Sequence, residues 1–230
     1  TVEYADGRMQ VIAGAGSNST AEACQLTEAA TAAGAHAILS VAPYYNKPPQ
    51  SGLLAHFRAV ASSTDLPIIL YNVPGRTVTD IADDTTLELA EVSNIVGIKD
   101  ATGDLDRAQY VLKHRPDGFA VYSGDDPTAM ELCLLGGDGD ISVTANVAPR
   151  LMSQMIEAAM DGRREVAEAL NDQLLGLHSD LFIEPNPIAS KWALSEMGFM
   201  RADCRLPLVP LTADGQSAVR AACQKAGISL

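Results

Sequence analysis

From Val11 to Val143, short apolar runs alternate with longer stretches rich in Ala, Leu and Glu. The runs are Val11–Ala13, Ala37–Val41, Ile68–Tyr71, Ile95–Lys99, Phe119–Ser123 and Asp140–Val143. They are too short for helices and nearly unbroken in hydrophobicity, as strands buried on both faces should be. Between them lie helical patterns at Thr20–Ala33, Gly52–Ser62, Asp84–Glu91, Asp104–Lys113 and Pro127–Leu135. Thr20 with Glu22 opens the first of these and Gly34 stops it. Ser51, Asp84 and Asp104 read as helix caps. Strand, helix and strand in regular succession require parallel strands joined by crossovers. After Val143 the pattern is wholly helical, at Arg150–Asp161, Arg163–Ser179, Pro187–Met197 and Asp214–Lys225. No linker rich in Pro, Gly or Ser intervenes, so the helical tail is expected to pack on the α/β part.

Two architectures satisfy this order: an open doubly wound sheet or a (β/α)8 barrel. Both put their chemistry at the carboxyl ends of the strands. Gly14-Ala15-Gly16 follows the first strand, but the third glycine of a dinucleotide fingerprint is absent and no acid closes a second strand. The glycine pair therefore reads as a tight turn, and the barrel is favoured. Six strands are two short of eight, and Thr1–Ala5 reads as the end of a helix that stops near Gly7.

Composition removes other classes. Sixteen Lys and Arg against 29 Asp and Glu leave a net charge of -13, which argues against a nucleic-acid binder. A mean hydropathy of +0.06 argues against a disordered chain. No apolar run approaches the ~18–20 residues of a membrane helix. Cys24, Cys133, Cys204 and Cys223 have no metal-binding spacing and read as reduced, buried cysteines of a cytosolic protein.

Polar residues concentrate at the strand ends. Of five lysines, only Lys99 terminates a buried strand. Desolvation favours the neutral amine of such a lysine and so makes it a nucleophile; the alternative is a lysine that simply reaches solvent at the rim. Tyr71 and the pair Tyr44-Tyr45 also follow strands, where a phenol either moves protons or packs with its hydroxyl wet. Arg76, five residues beyond Tyr71, has the fork that grips a carboxylate, or it caps a loop. Asp125 and Asp126 precede Pro127 and read as caps of the next helix. The histidines are scattered, so a divalent-metal site is not expected. Asn186, between two prolines, marks a fixed elbow. An amine nucleophile, tyrosines and an arginine together point to Schiff-base chemistry on a small keto acid.

These residues resemble a known family. Tyr71-Asn72-Val73-Pro74-Gly75-Arg76 is similar to its Tyr-Asn-Val-Pro-x-Arg motif, and Gly97-Ile98-Lys99-Asp100-Ala101-Thr102-Gly103 to its Schiff-base lysine motif. Pro43-Tyr44-Tyr45-Asn46, Ser123-Gly124-Asp125-Asp126, Ile141-Ser142-Val143-Thr144-Ala145-Asn146 and Glu184-Pro185-Asn186-Pro187 match as well. The family is that of 4-hydroxy-tetrahydrodipicolinate synthase (dihydrodipicolinate synthase), among the class I aldolases that include N-acetylneuraminate lyase.

The resemblance implies that Lys99 forms an imine with pyruvate, that Tyr71 donates and accepts protons, and that Tyr45 joins the relay across a dimer interface. It implies that Arg76 holds the carboxylate of L-aspartate 4-semialdehyde. It sets Gly124, Asp125 and Ile141 near the bound keto acid, Gly124 and Ile141 through their backbones, and Asn186 near the second substrate. Asn18, Glu22 and Tyr44 match positions that hold inhibitory lysine; without the resemblance, Glu22 reads equally as a first-turn carboxylate. No cofactor is implied beyond the covalent imine. The expected product feeds diaminopimelate and lysine synthesis, in a cytoplasmic dimer of dimers. The family's Thr-Thr-Gly segment does not occur in the chain. The expectation is therefore strands three to eight of a (β/α)8 barrel, with residues 1–148 as the partial barrel and 149–230 as a helical region packed on it. A sister pyruvate aldolase acting on sugar acids, and an inactive keto-acid- or lysine-binding fragment, remain as rivals.

Overall fold

The computed structural model describes all 230 residues, Thr1–Leu230. The chain divides into two compact units, Thr1–Gly124 and Asp125–Leu230.

The first unit opens with α1 (Val2–Ala5), which ends where Asp6 and Gly7 turn left-handed at φ 47° and 70°. There follow β1 (Ile12–Gly14), α2 (Thr20–Ala32), β2 (Ala37–Val41), α3 (Gln50–Ala61), β3 (Ile68–Asn72), the single turn α4 (Pro74–Thr77), α5 (Asp83–Leu89), β4 (Ile95–Asp100), α6 (Leu105–His114) and β5 (Ala120–Ser123). The five strands form a parallel sheet in sequential order. That order never reverses, as the wall of a barrel requires, and it lacks the switch point of a doubly wound sheet. Ile38, Ile68, Leu70, Ile98 and Val121 meet Leu53, Phe57 and Leu89 of the helices in one buried core.

The second unit holds α7 (Asp126–Leu134), β6 (Gly139–Asp140), a 3₁₀ turn at Thr144–Asn146, α8 (Pro149–Met160), α9 (Arg164–Asp180), α10 (Ile188–Glu196) and α11 (Ala213–Lys225). Its core is built from Met152, Met155, Leu174, Leu177, Leu181, Trp192 and Val219. No helix of either unit is long and apolar enough to cross a membrane.

Several expectations shift. Asp104 caps α6 as expected, its carboxylate accepting from the Arg107 N–H at 3.1 Å. Ser51 and Asp84 are not caps: α3 and α5 begin earlier, behind Pro49 and Ala82. Asp125 occupies the first-cap position of α7 but bonds the Thr128 hydroxyl at 2.7 Å rather than a backbone N–H. Asp126 turns instead to Thr144, accepting from its N–H and its hydroxyl, both at 2.8 Å. The same contact explains why the run Asp140–Val143 is a strand only at its start. Thr144 is held by a side chain and coils into the 3₁₀ turn. Gly16 is needed for close approach rather than for a turn, since a Cβ there would lie 2.6 Å from the Val41 nitrogen. All four cysteines are free; Cys133 and Cys223 are buried, whereas Cys24 and Cys204 are only half-buried.

Candidate active site

Lys99 and Tyr71 are brought together by an irregularity in the sheet. Ile68 pairs with Ile95, but Ile69 pairs with Gly97, so Val96 is skipped. Beyond the skip, Tyr71 stands opposite Lys99. Without it, Tyr71 would face Ile98. Successive strand residues point to opposite faces, so a one-residue slip would move the lysine to the other side of the sheet. Gly97 sits at the irregularity, where a Cβ would come within 2.7 Å of the Ala120 carbonyl oxygen. A larger residue would therefore push β5 away from β4.

The Lys99 ammonium lies 4.3 Å from the centroid of the Tyr71 ring, within cation–π range. Both side chains are half-buried. Burial raises the Tyr71 phenol above its ordinary pKa, and the Arg76 guanidinium partly opposes that rise. The phenol thus stays protonated near neutrality and is available as a donor. Gly124 borders the lysine from β5: its N–H donates to the Asp100 carbonyl at 2.7 Å, and a Cβ would meet Lys99 Cε at 2.6 Å. Any other residue here would crowd Lys99 Cε and Cγ and make the lysine stem move from its place over Tyr71.

Arg76 is exposed on α4. Tyr45 is 85% exposed and adopts a left-handed φ of 75°, uncommon for an aromatic residue. Its N–H donates to the Thr77 carbonyl at 3.1 Å, tying the segment after β2 to the loop that carries Arg76. Near the end of β1, the Asn18 carbonyl accepts from Asn46 Nδ2 at 2.9 Å, and Glu22 accepts from the buried Ser17 hydroxyl. Asn46 therefore links Asn18 to Tyr44, whose carbonyl accepts from the Asn46 N–H at 2.9 Å, while Glu22 is tied to Ser17, the residue before Asn18.

Asp125, Ile141 and Asn186 belong to the second unit. Ile141 is half-buried just beyond β6, and Asn186 precedes a cis peptide at Pro187 and accepts from the Ser190 hydroxyl at 3.2 Å. Sequence reasoning missed two polar networks. In the first unit, Asn72, Asp80 and Arg107 join around the ends of β3 and β4. In the second, Asp126, Thr144 and His178 form a chain, with the Thr144 hydroxyl 2.9 Å from His178 Nδ1. Neither has a local signal, because the partners lie 18 to 34 positions apart, apart from the Asn72–Asp80 contact.

Residues 1–226 match the dihydrodipicolinate synthetase family. A 4-hydroxy-tetrahydrodipicolinate synthase of Nitrosomonas eutropha is 56% identical over 229 residues, 100% of this chain and 78% of the relative. The dihydrodipicolinate synthase of Acinetobacter baumannii, solved in complex with pyruvate, superposes with a TM-score of 0.96 at 51% identity, over 99% of this chain and 78% of that one. The enzyme of Cyanidioschyzon merolae, solved with lysine bound, does so at 0.92 and 41% identity, over 96% and 75%.

Proposed function

The chain belongs to the dihydrodipicolinate synthetase family, and from that premise we propose that it condenses pyruvate with L-aspartate 4-semialdehyde through an imine on Lys99. The product is 4-hydroxy-tetrahydrodipicolinate, which enters diaminopimelate and lysine synthesis. The observation that carries the assignment of Lys99 is its place at the end of β4, with its ammonium over the ring of Tyr71.

The chemistry follows from those groups. The neutral lysine amine adds to the pyruvate carbonyl, and water leaves as the imine forms. The protonated imine draws electrons from the adjacent methyl carbon, which loses a proton and becomes an enamine. That carbon bonds to the aldehyde of the second substrate, whose oxygen takes up a proton. The substrate's own amine then displaces Lys99 and closes the ring. Tyr71 is the group within reach of these transfers, and its raised pKa keeps it protonated between them. Tyr45 extends the relay; its high exposure suits a side chain lent to a neighbouring subunit. Arg76 receives the carboxylate of the aldehyde substrate. By the same reading Gly124, Asp125 and Ile141 are keto-acid-binding residues, and Asn186 serves the second substrate.

The same reading gives the chain no cofactor besides the imine. It makes its six strands strands three to eight of a (β/α)8 barrel, with the barrel part at 1–148 and a helical region at 149–230. It also makes the protein a cytoplasmic dimer of dimers, inhibited by lysine held at Asn18, Glu22 and Tyr44.

Borohydride reduction in the presence of pyruvate tests the assignment. The expected result is a mass increase of one reduced pyruvyl group that disappears in Lys99→Ala. An adduct that persists in that variant would move the imine to another lysine, and no adduct at all would exclude Schiff-base chemistry.

A further inference from the structure

The loop that carries Arg76 leaves β3 at Asn72 and rejoins the helical layer at Ala82. Three side chains that play no part in the proposed chemistry fasten its base. Asn72 is fully buried; its Nδ2 donates to Asp80 Oδ1 at 2.8 Å, and its Oδ1 accepts from the Ile81 N–H at 3.1 Å. Gln50 of α3 brackets the same stretch, donating to the Asp80 carbonyl at 2.8 Å and accepting from the Ala82 N–H at 3.1 Å. Arg107 of α6 closes it. Its Nη1 lies 2.9 Å from both Asp80 oxygens, and its Nη2 donates to the Ile81 carbonyl. Its Nε lies 2.7 Å from Asp83 and 3.6 Å from Asp100.

Arg107 is not an ordinary surface ion pair. Its side chain is 14% exposed, so solvent screens its contact with buried Asp100 little and that with half-exposed Asp80 only in part. The planar fork also matters, since it reaches a carboxylate and a backbone carbonyl at once, which an ammonium cannot reproduce.

The segment between these fastenings would not hold its shape alone. Val78 sits at φ 61°, a left-handed conformation that a β-branched residue leaves unless its surroundings prevent it. The Thr77 hydroxyl ties the turn internally: it lies 2.8 Å from the Thr79 carbonyl and 3.1 Å from the Val73 carbonyl, between which its one hydrogen is shared, and it accepts from the Thr79 N–H at 3.2 Å. The outer fixings are Asp80 and the Tyr45 N–H. Lys99 and Tyr71, by contrast, are held by the register of β3 and β4.

We infer that Arg107, acting through Asp80, is a positioning residue for the second substrate: it fixes the loop on which Arg76 sits and so sets how well the carboxylate of the aldehyde is held. The inference rests on the reading of Arg76 given above. Arg107 touches neither substrate. Pyruvate capture at Lys99 does not depend on it, because the strands place that lysine.

The test uses Arg107→Lys and Asp80→Asn in the assembled protein. Asp80 is half-exposed, and asparagine still offers Asn72 an acceptor, so this variant keeps that contact while it removes the charge and one of the two oxygens that face Arg107. The expected result is a KM for aspartate semialdehyde raised about tenfold or more. The KM for pyruvate and the rate of borohydride trapping should stay within about twofold of the parent. The double variant should be no worse than the worse single one, as two members of one contact require. An unchanged KM for the semialdehyde with normal trapping would overturn the inference. So would a parallel loss of both substrates and of melting temperature in Asp80→Asn, which marks a structural role only. Absence of trapping in the parent protein would instead overturn the reading of the site, and the inference with it.

Discussion

Residues Thr1–Gly124 and Asp125–Leu230 each enclose an apolar core and buried polar side chains, but the first also sets a nucleophile and a phenol at its strand ends. In the first unit the core of Ile38, Ile68, Leu70 and Ile98 stops at the strand ends, where Lys99 and Tyr71 stand half-buried. Beside Lys99 in the chain is Asp100, and Asp83 lies with it against Arg107. Burial raises both carboxyls above the ordinary aspartate range, against the pull of Thr102 on the one and Arg107 on the other. In the second unit the polar chain Asp126–Thr144–His178 lies inside, with all three residues buried. Asp126 Oδ1 and His178 Nε2 find no hydrogen-bond partner there. Buried polar chains of this kind select one packing of a core. Half-buried groups at a strand end are placed where a small molecule can reach them. The difference teaches that both units spend stability on order, through Asn72 in the first and the Asp126–Thr144–His178 chain in the second, and that the first adds half-buried groups placed for reactivity.

The sharpest way to break the comparison is Tyr71→Phe. Turnover should fall by about 10²–10⁴-fold, the range for a lost proton-transfer group, while the melting temperature stays close to that of the parent. A large drop in melting temperature would show that Tyr71 is a packing residue. Leu174→Ala reverses the pattern. Leu174 is fully buried in the second core, and its truncation should cost about 2–5 kcal/mol by denaturant titration. The folded fraction should still trap pyruvate at Lys99; loss of trapping without loss of stability would erase the distinction between the units.

The smallest effect is a dependence on pH. Burial lowers the pKa of His178, with Asp126 and Asp125 partly opposing it, and burial lowers that of His56 in the first unit as well. Both are harder to protonate in the fold than in the unfolded chain, which binds protons near 6.5. Their contribution is therefore present above pH 6.5 and is lost as pH falls through the depressed folded values. Thermal melts between about pH 7 and about pH 5 should show falling stability, and His178→Asn should flatten part of the slope. An identical slope in the variant would remove His178 as a source.

Much of this was legible in residue order. The run Ala37–Val41 is β2 end to end, and α2 ends one residue short of its expected stop. Lys99, Tyr71 and Arg76 stood out because a charged or phenolic group after an unbroken apolar run cannot be explained by the run itself. The errors fell where a distant side chain won. Ser51 offers a good capping hydroxyl, but α3 starts ahead of it, and the Gln50 amide is committed to Asp80 and Ala82. Val143 looks like strand, but Asp126 has already captured Thr144.

Hydrophobic period and strand-end chemistry are properties of neighbouring residues. For that reason the sequence by itself determined the parallel α/β order, the lysine, the tyrosines and the arginine. The facing of Tyr71 and Lys99 is a different matter. It depends on the skip at Val96 and on how closely β5 approaches Gly97. The fastening of the Arg76 loop depends on an arginine 27 positions beyond Asp80. Contacts of that kind form only when separate elements pack, so only the tertiary structure decided them.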